Sequence, residues 1–176
     1  MISIEVLGTP APKGSMRAVI IRGRPQAIPG GSDANKRALR AWAKAIREAV
    51  SAVLGQLDTP MYVDQPLEVH LLFKLCRPTG HYKPKSTLLT NTAPLYPMVM
   101  RDDIDKLARS TLDALTGLLY DDDGRIVTLV CSKQYAQSEA QQGVVITIDS
   151  LVTTMQRELA LDASKRHHSQ ETAKQT

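Results

Sequence analysis

The chain has 176 residues, 43% of them apolar and 23% charged, with a formal net charge of +4 and a sequence pI near 9.1. That is long enough for one domain with a real core, cramped for two, and typical in composition of a globular protein. The basic bias is compatible with a nucleic-acid partner, whereas a single Trp and a single Phe argue against aromatic stacking on bases as the main device. Cys76 and Cys131 show neither CxxC nor Cys/His ligand spacing, which disfavours zinc and reads as free thiols in a reducing compartment. The N-terminus lacks a signal-peptide pattern and no apolar run is long enough for a membrane span, so the expectation is a cytoplasmic protein.

Ile2, Ile4 and Val6 alternate with Ser3 and Glu5, the period of a half-buried strand. Gly8 to Gly14 (GTPAPKG) breaks it with turn residues. Arg17 to Arg22 reads as a second strand and Arg24 to Gly31 as a Pro- and Gly-rich loop. Ser32 or Asp33 caps a helix running to about Leu54, with Leu39, Trp42, Ala43, Ile46, Val50 and Val53 on one face. Strict alternation of Leu67, Val69, Leu71, Phe73 and Leu75 predicts a strand over Pro66–Leu75. Arg77 to Pro97 is a long polar loop carrying four prolines and several basic residues, a length more often functional than idle.

A short helix follows, striped by Ile104, Leu107, Ala108, Leu112 and Leu115, with Gly117 at its C-terminal end. Ile126–Cys131 and Val144–Ile148 read as strands, expected to pair antiparallel through the loop around Lys133–Gly143. The fold class is α+β, a single domain with a mixed β-sheet packed with a long early helix and a short acid-bearing helix. The domain is expected to span 1–150, with a partly disordered helix and tail over 151–176.

Between Arg101 and Arg125 lie seven of the 18 acids of this basic chain. Carboxylates gathered closely repel one another unless a cation neutralises them. Asp103 and Asp105 flank Ile104, so an extended segment entering the helix points both to one side. A reversal at Gly117 can return Asp121, Asp122 and Asp123 towards the start of the helix or leave the two groups apart, depending on how the following strand runs. Aspartates around a hard divalent cation activate water against a phosphodiester. The same spacing also fits simpler roles. Asp103 suits an N-cap, Asp105, Arg109 and Asp113 an i, i+4, i+8 ion-pair ladder, and Asp121–Asp123 a polar turn before Gly124.

Taken together, these residues resemble the RusA family of Holliday junction resolvases. The family pattern D-x-D-N-x-x-K-x-x-x-D-A-L, a glycine and a paired acid reads here as Asp103-Ile-Asp105-Lys106-Leu-Ala-Arg109-Ser-Thr-Leu-Asp113-Ala-Leu115, then Gly117 and Asp122-Asp123. The opening Gly8 to Gly14 resembles the family's G-x-P-x-P-K-G, and Lys133 with Tyr135 matches a K-x-Y after the next strand. The resemblance spans about Ile4 to Ile148.

It implies a RusA-like fold and a Mg²⁺-dependent endodeoxyribonuclease (Mn²⁺ a possible substitute) that resolves four-way DNA junctions as a homodimer in recombination and repair, without a membrane. By the family pattern Asp103, Asp105 and Asp123 are catalytic metal ligands, with Asp122 assisting or substituting. The helix lysine falls on Arg109 and the opening lysine on Lys13. Lys13, Arg17, Arg101, Lys106 and Lys133 are the expected DNA contacts. Lys106 stands where the family has Asn, and Arg109 replaces a compact ammonium with a planar fork. Two other outcomes compete: a junction-binding protein without cleavage, and a small domain whose acids form only surface ion pairs.

Overall fold

The computed structural model describes residues 1–14, 16–29, 32–98 and 102–152. Its four-stranded sheet has the order β1-β6-β4-β5, built from β1 (Ile2–Leu7), β4 (Leu67–Leu75), β5 (Ile126–Tyr135) and β6 (Gly143–Ser150). A separate hairpin pairs β2 (Met16–Ile21) with β3 (Arg24–Pro29). Two helices, α1 (Asp33–Leu54) and α2 (Ile104–Leu115), pack on each other and on the sheet. The expected α+β single domain with a mixed sheet is therefore what forms.

Alternation explains which sheet face is covered. Ile4 and Val6 of β1, Val69, Leu71 and Phe73 of β4, and Val144, Ile146 and Ile148 of β6 are buried together with Trp42, Ile46 and Val50 of α1 and Leu107 and Leu115 of α2. The opposite face carries Glu5, Glu68, His70, Lys74 and Asp149, partly tied by Lys74–Glu5 (2.6 Å) and His70–Glu68 (2.9 Å). Such a two-faced sheet needs helices on one side only. Ser32 caps α1 by accepting from the Asn35 amide at 3.3 Å. Val53, expected on the core face, lies exposed in the last turn of α1.

Two expectations are corrected. The segment read as a Pro- and Gly-rich loop after Arg24 is strand β3, joined to β2 by Arg22 and Gly23 at φ 52° and 73°. Both central residues at positive φ make the tight turn whose twist suits a two-residue hairpin. Pro25 and Pro29 are tolerated because, among the described residues, the hairpin pairs with no further strand. The strand from Ile126 does not pair with β6. It runs to Tyr135 and pairs parallel with β4, while β6 lies antiparallel between β4 and β1. The expected tail after residue 152 lies outside the described residues.

One polar contact fixes how the helices sit. The Trp42 indole N–H donates to Thr111 Oγ1 at 3.2 Å, and the Thr111 hydroxyl donates to the Leu107 carbonyl at 2.9 Å, all of it buried. Replacing Thr111 by Val keeps the shape and orphans the indole N–H. We expect Thr111→Val to cost about 1–3 kcal/mol in urea unfolding, with no cost counting against this link between α1 and α2.

Candidate functional site

The start of α2 gathers charge of both signs. Asp103 occupies the N-cap, yet its carboxylate makes no capping bond. It accepts instead from Lys106 Nζ at 2.5 Å. That bond, followed by the Asp103 charge, raises the Lys106 pKa. Asp105 stands exposed in the first turn. The opening segment crosses here: the Lys13 amide donates to the Lys106 carbonyl at 3.0 Å, and Lys13 Nζ pairs with the Asp113 carboxylate. Asp113 thus pairs with a lysine a hundred residues away in sequence, rather than through the expected ladder with Arg109, which is exposed on α2.

The C-terminal end of β5 meets the same place. Lys133 Nζ donates to the Asp102 carbonyl at 2.9 Å. Two residues on, the Arg77 guanidinium lies 3.7 Å over the Tyr135 ring, a cation–π contact that also directs the arginine to the Pro94 carbonyl at 2.8 Å. His81 meets Tyr135 edge-on at 5.8 Å between ring centroids. The long loop is therefore fastened to this end of the sheet. A cleft of about 320 Å³ opens beside it, lined by Thr9, Pro12, Asn35, Cys76 and Asp102 among others. Asn35 in the first turn of α1 and Asp102 before α2 place both helix N-termini at this end. The partial positive charge of helix N-termini favours an anion such as phosphate.

The second acid cluster lies elsewhere. Beyond α2, Gly117 (φ 79°) turns the chain, and Tyr120 is buried with its hydroxyl donating to the Leu112 carbonyl at 3.0 Å. Burial pushes that phenol well above its ordinary range. Asp121 then accepts from Arg125 at 2.9 Å, and Arg125 reaches Asp64 at 2.8 Å. Asp122 accepts from the Gly124 amide at 2.7 Å and caps a short 3-10 turn over Asp123–Arg125. Asp122 and Asp123 are exposed.

This turn leads straight into β5, whose far end carries Lys133. Lys133 is seven residue steps along the strand from Ile126, roughly 23 Å at the usual rise. The reversal at Gly117 does not return these acids to Asp103; it leaves them at the opposite end of α2. Among the described residues no three His, Cys, Asp or Glu side chains come together in a way that holds a metal ion.

The model of a known family, described as Endodeoxyribonuclease RusA, matches residues 22–149. The chain belongs to the RusA family. The match spans both acid clusters, α2, β5 and the Lys133–Tyr135 pair, and begins after the GTPAPKG segment. No individual curated protein matches the chain. Of the RusA-pattern residues, the structure brings Asp103, Lys106, Lys13 and Lys133 to one end, with Asp105 and Arg109 exposed on the adjoining helix. It sets Asp122 and Asp123 apart from them. Arg101 lies outside the described residues, as does the side chain of Arg17. Among the described residues no helix is long and apolar enough to cross a membrane.

Sequence reasoning places Arg77 among the basic residues that could meet phosphate but missed its stacking on Tyr135, and it missed the clamp by Arg125. The Arg125 guanidinium holds the Asp121 carboxyl below the ordinary carboxylate range. A depressed carboxylate contributes stability above its unfolded pKa and loses it as pH falls through the folded one. Arg125→Ala should therefore lower the Tm at about pH 7, and its difference from the parent should shrink below about pH 4. Thermal unfolding followed by circular dichroism at the two pH values checks this; a difference constant with pH contradicts it.

Proposed function

We propose that this RusA-family protein is a structure-specific endodeoxyribonuclease that resolves four-way DNA junctions by phosphodiester hydrolysis in recombination and repair. The proposal includes Mg²⁺ as cofactor, Mn²⁺ as a substitute, and a homodimer as the working unit. The observation that carries it is the family match laid over the α2 N-terminus, where exposed carboxylates stand among cations and helix amides suited to phosphate.

Each residue at this end has a physical task in that reading. Lys13, Lys133 and Arg109 supply positive charge for backbone phosphates, which positions DNA without reading sequence and makes affinity fall with salt. Lys133 also holds the Asp102 carbonyl and so fixes the chain entering α2. Asp103 and Asp105 offer the hard oxygen donors that Mg²⁺ prefers. A single protomer does not fit the full three-carboxylate site, because the third acid lies at the other end of α2.

Lys106 is one of the two residues, with Arg109, that set this chain apart from the family pattern. Its ammonium sits against the Asp103 carboxylate, where a divalent cation has to displace it. Replacing it by the family's Asn removes that competitor. We expect Lys106→Asn to show a larger Mg²⁺-induced rise in Tm than the parent at equal Mg²⁺, since ligand binding to the folded state stabilises by mass action. An unchanged or smaller rise removes Lys106 as a competitor.

The direct test is cleavage of a synthetic four-way junction with Mg²⁺. Asp103→Asn and Asp105→Asn should each reduce the rate on the order of 100-fold, about 2.7 kcal/mol of barrier, while junction binding persists. Variants that cut like the parent refute the site. Salt-sensitive binding with no nicking in Mg²⁺ or Mn²⁺ makes the protein a junction binder instead.

A further inference from the structure

The long loop after β4 folds into a small hairpin of its own. The Lys83 amide donates to the Leu88 carbonyl at 2.8 Å, and the Thr90 amide to the His81 carbonyl at 2.9 Å. Tyr82 and Leu89 face each other as an isolated antiparallel bridge, and Lys85 turns the chain at φ 54°. Arg77, stacked on Tyr135 and bonded to the Pro94 carbonyl, ties the far side of the loop to the sheet. The Ala136 amide donates to the Leu75 carbonyl at 2.8 Å and holds the chain leaving β5 alongside. Between this hairpin and the end of β5 lies a cleft of about 560 Å³, lined by Arg77, Tyr82, Ser86, Thr87, Tyr135 and Gln137 among others. It shares no lining residue with the cleft at the two helix N-termini.

We infer that this cleft takes a single nucleobase turned out of a DNA strand that passes Lys133, and that Gln137 reads the edge of that base. No carboxylate and no lysine lines the cleft, and its one cation is already stacked and bonded. A phosphate is held by cations free to meet it. A base needs flat surfaces to stack on, with uncharged donors and acceptors at its edge. Tyr82 and Tyr135 supply the surfaces, and the Ser86 and Thr87 hydroxyls and the Gln137 amide supply the donors and acceptors. The Tyr135 hydroxyl is buried without a hydrogen-bond partner among the described residues, and so is Nδ1 of His81, whose ring meets Tyr135 edge-on. Buried polar groups are nearly always bonded, so two orphans beside one cleft point to a ligand that carries polar atoms.

The place of the cleft says which base it meets. Lys133 precedes Tyr135 by two residues on the same face of β5, roughly 7 Å at the usual rise. Lys133 also holds the Asp102 carbonyl at the entry to α2. At ~3.4 Å of axis per nucleotide of one strand, the cleft lies about two nucleotides from that point. Turning a base out costs least where pairing is already broken, as it is at the crossover of a branched junction. The cleft thus favours a branch over a continuous duplex, a preference that phosphate contacts alone do not supply. This inference rests on the DNA partner under the proposed function, and not on cleavage.

The test uses the full chain and four-way junctions carrying 5-iododeoxyuridine at successive positions around the crossover, irradiated in EDTA so that nothing is cut. One position should crosslink to Tyr82 or Tyr135, mapped by mass spectrometry of the digested complex. Tyr82→Ala should weaken junction binding on the order of tenfold, the loss of one stacked base, with duplex binding unchanged and Tyr82→Phe restoring the parent's affinity. Across four junctions that differ only in the crosslinked base, Gln137→Ala should flatten a preference of about tenfold, read as affinity in EDTA. Millimolar deoxynucleoside monophosphates without DNA should leave the Tm unchanged; a rise reassigns the cleft to a free nucleotide and overturns the strand-borne base. Crosslinks that map elsewhere, or an equal loss on duplex for Tyr82→Ala, overturn the cleft even if the protein cuts junctions. A preference that survives in Gln137→Ala overturns the role of Gln137. A protein that crosslinks as expected and does not cut keeps the cleft and loses the nuclease function, whereas one that binds no junction loses both.

Discussion

The parallel pairing of β4 with β5 is the constraint from which the rest follows. Antiparallel strands can be joined by a tight turn, but a parallel pair needs a connection that returns to the starting end, usually through a helix. Here the return contains the long basic loop and α2. Because α2 carries the chain back, it runs opposite to β5, and its first residue stands near the finish of the strand that follows it. Lys133 bonded to the Asp102 carbonyl is the direct mark of that geometry. The acids before α2 and those before β5 must then lie at opposite ends. A single topological fact thus separates what the sequence sets close together.

The same arrangement collects cations and helix N-termini at one end of the sheet. Lys13 reaches Asp113 and the Lys106 carbonyl, Arg77 lies on Tyr135, and α1 and α2 both begin there. Against this background Asp103 and Asp105 are acids in a basic setting, with Lys106 as the local counter-charge. The other end is organised differently. Asp121 and Asp122 are occupied with the turn itself, through Arg125 and the Gly124 amide, and Asp123 has no such structural duty assigned to it by hydrogen bond or ion pair among the described residues.

Elements whose signal is local were legible in the chain. The alternation of β1 and β4, the Ser32 cap, and the stripe of α2 all depend on neighbours a few residues apart, and each forms as expected. What depended on distant partners was not legible. The run Ile126–Cys131 is apolar enough to be a strand but says nothing about whether β4 or β6 lies beside it. Pro25 and Pro29 signal a loop because a central strand rejects them, whereas a lone hairpin does not. Asp113 has a plausible partner four residues back in Arg109, and nothing in the local spacing reveals that Lys13 takes it instead. The family pattern picks out Asp103, Asp105, Asp122 and Asp123 without conveying that one chain keeps them apart.

Trp42, the only tryptophan of the chain, is buried and bonded through its indole N–H to Thr111 of α2. Its emission therefore reports on one thing above all, the seating of the helix that bears Asp103 and Asp105. A dry, hydrogen-bonded indole emits at shorter wavelength than a wet one, so any ligand that lifts or reseats α2 has an optical signature without a label. Metal and DNA titrations can be followed in the native chain, with the fluorophore built into the joint that positions the acids.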